Sequence, residues 1–214
     1  MMMKSTLKPV AGKHRSVFGG LLTIKEDRLA QQLRGKTVAL VGNAVSMKHL
    51  AQGPLIDACD VVVRLNRVPG AQPASHGVRT TWLALSEFPT EERLHELDPS
   101  LILWMTTKKR WRTLRLRLRR WRVYYYRNSE WQALAHQLGG ARPSTGIMML
   151  DLLVRLGGYS KLSIFGFDFF ASGSLSGRTP DAPGPHDFSR ERQLVDAWIG
   201  AGLPIEFVPC SKAA

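Results

Sequence analysis

The sequence predicts a single α/β domain built on a largely parallel sheet. Three observations carry that reading. From Thr37 onward, short apolar runs alternate with amphipathic stretches and turn residues, the pattern of strands joined by helical crossovers. Residues 145–156 (TGIMMLDLLVRL) are apolar almost all round and stop at Gly157-Gly158, which describes a helix buried against a sheet. The chain has 214 residues, 44% of them apolar and 22% charged, enough to bury one core and too apolar for a disordered basic protein.

In chain order, residues 1–23 show no period and read as a loosely ordered basic arm, with the folded domain over 24–214. Strands are expected at 37–42, 61–66, 81–85, 101–106, 123–126, 162–166 and 205–208, about seven in all. Helices are expected near 46–58, 90–97, 108–120, 129–138, 145–156 and 188–200. Residues 168–186 are rich in Gly, Ser and Pro, and so long a loop in a compact domain is either a functional lid or disordered.

The formal charge is +13. Nine Lys/Arg lie in residues 108–122 (KKRWRTLRLRLRRWR) and four more, Lys4, Lys8, Lys13 and Arg15, in residues 1–15, with no acid in either segment. The rest of the chain is therefore neutral on balance. Such segments seek phosphate on nucleic acid, anionic lipid or a soluble anion. Within 108–122, Leu and Arg alternate as in a strand, while Trp111, Leu114, Leu118 and Trp121 share one helical face that would suit an anionic membrane surface. Cys59 and Cys210 have no ligand-like spacing, so neither a disulfide framework nor a metal site is indicated. No run suits a signal-peptide core or a membrane span, and the expected location is cytoplasmic, at most peripheral on the inner membrane face.

Four stretches carry chemistry. VALVGNAVS (38–46) ends a strand in Gly42-Asn43, at the edge of a parallel sheet where ligands bind; it is neither G-x-G-x-x-G nor a P-loop. VVVRLNRVP (61–69) puts Arg64 and Asn66 at the end of a strand, so that Asn43 and Asn66 either hold a phosphate or sugar between them or cap local turns. In ARPSTGIMMLDLL (141–153), Ser144 or Thr145 can cap the buried helix, and Gly146 can admit an anion to its first turn. PHDFSRE (185–191) sets His186 before a helix capped by Asp187, with Glu191 in its first turns; His186 is either an exposed residue at a helix start or a general base at the end of a loop.

Together these stretches resemble glycosyltransferase family 29, the sialyltransferases. VALVGNAVS…IDACDVVVRLNRVP resembles the large sialylmotif, RPSTGIMMLDLLVRLGGYSKLSIFGFD the small one, and His186 with Glu191 the very small H-x-x-x-x-E motif, all in family order. The resemblance implies a Rossmann-like three-layer α/β/α fold, a single-domain variant of the nucleotide-sugar glycosyltransferase A fold. It implies inverting transfer of a 2-keto acid sugar, sialic acid or Kdo, from a CMP-activated donor to a hydroxyl of a glycan or lipid-linked acceptor. Asn43, Asn66, Ser144, Thr145, Gly146 and Gly166 would contact the donor, His186 would be the base and Glu191 its support. No metal or other cofactor is implied, and the chain has no Asp-x-Asp.

Two family features are missing. Residues 168–185 contain no His, so the family's His-Tyr motif is absent, and Arg142 and Arg178 become the candidates for holding the leaving phosphate. The disulfide between the large and small motifs is absent too, since neither match contains the paired cysteines. The competing reading is a non-catalytic nucleotide- or nucleic-acid-binding module working through the Arg/Trp segment. On the transferase reading no specific nucleic-acid partner is expected, and 108–122 would meet an anionic membrane.

Overall fold

The computed structural model describes residues 23–68, 72–106, 118, 120–169, 171–175, 179 and 184–209. Its centre is a seven-stranded sheet with strands β1 (Thr37–Val41), β2 (Val61–Leu65), β3 (Trp82–Leu85), β4 (Leu101–Trp104), β5 (Arg122–Tyr125), β6 (Lys161–Phe165) and β7 (Ile205–Phe207). The order across the sheet is β5-β4-β3-β2-β1-β6-β7, and every neighbouring pair is parallel. All seven expected strands are present, with ends shifted by a residue or two. The central ones read as nearly unbroken apolar runs because a parallel sheet is covered on both faces, whereas the edge strands β5 and β7 carry the exposed Arg122 and Glu206.

Alternate residues of each strand feed different cores. Val38, Leu40, Val61, Val63, Ala84, Leu103, Leu162 and Ile164 pack with α1 (Glu26–Leu33), α5 (Asn128–Gln137), α6 (Thr145–Leu156) and α7 (Phe188–Gly200). On the other face, Ala39, Val41, Val62 and Phe165 meet Met47 and Ile56, and Leu83, Leu85, Ile102 and Val123 meet Leu94 of α4 (Glu91–Leu97). The result is the expected three-layer α/β/α sandwich on a Rossmann-like parallel sheet.

Three elements depart from expectation. The helix expected over 46–58 is two pieces, a 3-10 turn Val45–His49 and α2 (Gly53–Ala58), because Pro54 opens a new helix and cannot continue an old one. Helix α1 was not anticipated, since it buries only Leu29 and Leu33. The four-residue α3 (Pro73–His76) is too short to show a period. Arg64, expected near a ligand edge, is instead 2% exposed on the far face, where Nε donates to Arg79 O (2.8 Å) and Nη2 to His76 O (2.7 Å). Burial lowers its pKa to about 10.

Of the basic segment, 108–117 and 119 lie outside the described residues, as do 1–22 and Arg178. Leu118 is 0% exposed, and Trp121 packs on the same cluster, tilted against His95 with ring centroids 5.4 Å apart. Of the four residues on the expected membrane-facing stripe, Leu118 is therefore committed to the protein interior and Trp121 is half-buried against it. Among the described residues no helix is long and apolar enough to cross a membrane.

Candidate active site

A cavity of about 700 Å³ runs along the carboxyl edge of the sheet. The order of strands reverses between β1 and β6, and at such a switch point the crossovers leave in opposite directions and open a crevice. Asn43, Asn66, Arg142, Ser144, Thr145, Gly146, Gly166, His186 and Glu191 all line this one cavity. They come from the large, small and very small motif-like regions, within 38–69, 142–168 and 186–191.

The floor is made where β1 and β6 end. Gly42 N donates to Phe165 O (2.7 Å) and Ala44 N to Gly166 O (3.2 Å), so the two backbones cross closely. A Cβ on Gly42 would lie 2.2 Å from Gly166 O, and one on Gly166, whose φ is +66°, would lie 2.1 Å from Met47 Sδ. Gly146 lies under the Phe167 ring, where a Cβ would be 2.8 Å from the nearest ring carbon. These glycines allow protein to approach protein, and the cavity floor is shaped by that approach.

The two asparagines finish neighbouring strands. Asn43 Nδ2 donates to Leu65 O (3.2 Å), tying the end of β1 to the end of β2. Asn66, at φ +54°, accepts from Ser86 N on Oδ1 (3.0 Å) and donates from Nδ2 to Thr145 Oγ1 (3.4 Å), and Thr145 Oγ1 in turn donates to Ser86 Oγ (2.7 Å). The strand ends and the start of α6 are thereby locked in one polar network.

Ser144, not Thr145, caps α6: its Oγ accepts from Ile147 N (3.2 Å). The same hydroxyl donates to Glu191 Oε2 (2.7 Å), and Ser144 N donates to Glu191 Oε1 (2.8 Å). Two residues earlier, Arg142 O accepts from Nδ1 of His186 (2.8 Å). A carbonyl can only accept, so Nδ1 carries the proton in the neutral ring and Nε2 carries the basic lone pair. Glu191 thus holds Ser144, two residues beyond the carbonyl that His186 bonds.

Glu191 is 3% exposed. Burial, reinforced by Asp187, outweighs its two bonds from Ser144 and pushes its pKa up to about 7. The native state therefore holds a proton that the unfolded chain has lost between about pH 4.5 and 7, and stability falls as pH rises through that window. Glu191→Gln removes the titration while keeping the shape. Relative to wild type, its unfolding free energy is expected to rise by about 2.5 kcal/mol between pH 5 and pH 8. Urea unfolding of both proteins across that range measures it, and parallel curves would refute it.

At the switch point, residues 168–169 and 171–175 are tied to the chain that leaves β1. Asp168 Oδ2 accepts from Ser172 N (2.9 Å), from the Ser172 hydroxyl and from Ser46 Oγ (3.3 Å), and Leu175 N donates to Asn43 O (2.8 Å). An antiparallel bridge between Ala44 and Ser174 completes the tie. The first part of the long expected loop is therefore fastened to the end of β1.

The wall also includes residues the motifs did not single out: Arg67, Ser86, Glu87, Thr106 and Trp131. Ser86 directly follows β3 as Asn66 follows β2 and Gly42 follows β1, so its position at a strand's carboxyl end was a readable signal. Arg67 and Glu87 pair at 2.6 Å between the same two loops. Among the described residues no group of three or more His, Cys, Asp or Glu converges as a metal site would require.

Three solved structures share this architecture. A mammalian sialyltransferase is 19% identical with a TM-score of 0.56 over 87% of this chain and 78% of its own. The sialyltransferase CST-II in complex with CMP is 13% identical, TM-score 0.58, over 80% of each chain. The monofunctional α-2,3-sialyltransferase Cst-I from Campylobacter jejuni is 13% identical, TM-score 0.58, over 87% of this chain and 78% of its own. No protein-family model and no curated protein sequence matches the chain. The fold is that of the sialyltransferases.

Proposed function

We propose that the chain is a glycosyltransferase that moves a 2-keto acid sugar, sialic acid or Kdo, from its CMP-activated donor to a hydroxyl of a glycan or lipid-linked acceptor. The observation that carries this reading is the convergence of residues from all three motif-like stretches on one cavity, at the switch point of a sialyltransferase fold. Support for the donor comes from CST-II, whose solved structure holds CMP.

In this reading Asn43 and Asn66 meet the nucleotide and its phosphate, and the start of α6 at Ser144, Thr145 and Gly146 meets ribose or the sugar carboxylate, where the helix dipole favours an anion. Gly166 holds the floor beneath them. The acceptor hydroxyl gives its proton to Nε2 of His186 as its oxygen bonds to the anomeric carbon. The bond from that carbon to phosphate breaks on the opposite face, and CMP departs with the electron pair. Arg142, exposed at the cavity wall, is placed to meet the charge growing on that phosphate. Arg178, outside the described residues, is the other candidate. With a single phosphate to neutralise, the reading requires no divalent metal.

A nucleotide panel tests it. At a hundred times its Kd, CMP is expected to stabilise the protein by about 2.7 kcal/mol and to raise Tm, with UMP, AMP and GMP giving little. Equal response to all four, or to none, would reject the donor class. CMP release from CMP-Neu5Ac or CMP-Kdo, each with a glycan acceptor, then separates the two sugars.

A further inference from the structure

We infer that Arg93, outside the cavity, is a positioning residue for the donor: it holds the loop that presents Asn66 in its binding conformation. The inference rests on the proposed donor role of Asn66. Two residues of this loop adopt left-handed backbone, Asn66 at φ +54° and Val68 at φ +48°. Asn tolerates that region, but a β-branched residue there is an outlier that its surroundings must enforce.

Arg93 supplies the enforcement. Its backbone N–H donates to the cap residue Thr90 (3.2 Å), which sets it in the first turn of α4. From there the guanidinium reaches back across the loop: Nε donates to Arg67 O (3.0 Å) and Nη2 to Val68 O (2.7 Å), while Nη1 pairs with Glu96 (2.9 Å). A planar fork can grip two successive carbonyls at once, and a lysine ammonium cannot match that geometry. The Val68 side chain, 4% exposed, is packed beside Leu83, Leu85 and Leu94, so the loop is held from both sides. Released from Arg93, the peptides at 67 and 68 are free to relax toward extended backbone. The Asn66 amide then leaves its place between Ser86 and Thr145.

The consequence is a loss of affinity for the nucleotide and not of fold. If the competent loop falls to a tenth of the population, the apparent Kd rises about tenfold. The experiment compares wild type, Arg93→Met, which keeps the apolar stem, and Arg93→Lys by calorimetric titration with CMP, thermal unfolding and amide exchange over 64–68. Arg93→Met is expected to bind CMP about tenfold more weakly, with Arg93→Lys between it and wild type. In both variants Tm should stay within a few degrees of wild type, and exchange at 66–68 should quicken. In turnover, KM for the CMP-sugar rises while kcat is kept. Wild-type affinity in Arg93→Met overturns the inference while leaving the donor reading intact. Failure of Arg93→Met to fold, with wild-type affinity in Arg93→Lys, overturns it as well. A wild-type chain that ignores CMP overturns the donor reading and this inference together.

Discussion

His186→Ala is expected to lower sugar transfer by about 10²- to 10⁴-fold, the range a positioned general base contributes, while CMP binding stays at the wild-type level. The two halves of this expectation come from different parts of the geometry. His186 donates from Nδ1 to Arg142 O and lies beside the Phe188 ring, with centroids 5.8 Å apart, and the carbonyl stays where the Ser144–Glu191 pair keeps it when the imidazole is removed. The donor contacts assigned to Asn43, Asn66 and the start of α6 are made by other elements. Initial rates and CMP titration of both proteins decide the matter. A variant that transfers at the wild-type rate would remove His186 from the reaction.

Gly42→Ala is expected to be the most damaging single methyl in the molecule's site. Its Cβ would lie 2.2 Å from Gly166 O and 2.9 Å from Gly166 C, atoms of a backbone that cannot swing aside as a side chain could. Relief requires β1 and β6 to part where Gly42 N bonds Phe165 O and Ala44 N bonds Gly166 O. Overpacking of this kind costs about 3 kcal/mol. For a domain of this size that is a fall in Tm of roughly 6–12 °C. Since Asn43 sits on the displaced backbone, CMP affinity should fall as well. Calorimetry and CMP titration measure the two effects, and a Tm within 2 °C of wild type would show that the crossing is looser than it looks.

The central strands were legible because they are buried on both faces and so carry long apolar runs: VALV, VVV, WLAL and LILW can hardly be anything else in a chain of this pattern. Helix α6 was legible to the residue, from Thr145 to the glycine pair that ends it. Its buried Asp151 was not an obstacle, since Tyr126 Oη (2.6 Å) and Arg155 Nε (3.0 Å) satisfy it from the neighbouring β5 end and the next helical turn. Helix α1 was not legible, because two buried leucines four residues apart do not make a period. The break after His49 could have been read from Pro54 alone. In the site, the residues with a motif around them were found, and single polar residues such as Ser86 and Thr106 were not. One hydroxyl after a strand looks the same in sequence whether it ends a turn or faces a cavity; sheet order decides which.

The β1–β6 seam also sets when the molecule can become complete. Strands β1 to β4 each pair with the next strand along the chain, so the wing from β1 to β5 can assemble as it leaves the ribosome. The free edge of β1, bearing Gly42 and Asn43, must wait for a strand that begins only at Lys161, and the imidazole arrives later still, with the segment leading into α7. Pairing across such a separation is the slow, entropically costly kind. The pocket is therefore completed only late in synthesis, and a nucleotide bound across it would staple together the two wings of the sheet at a join that cannot form early.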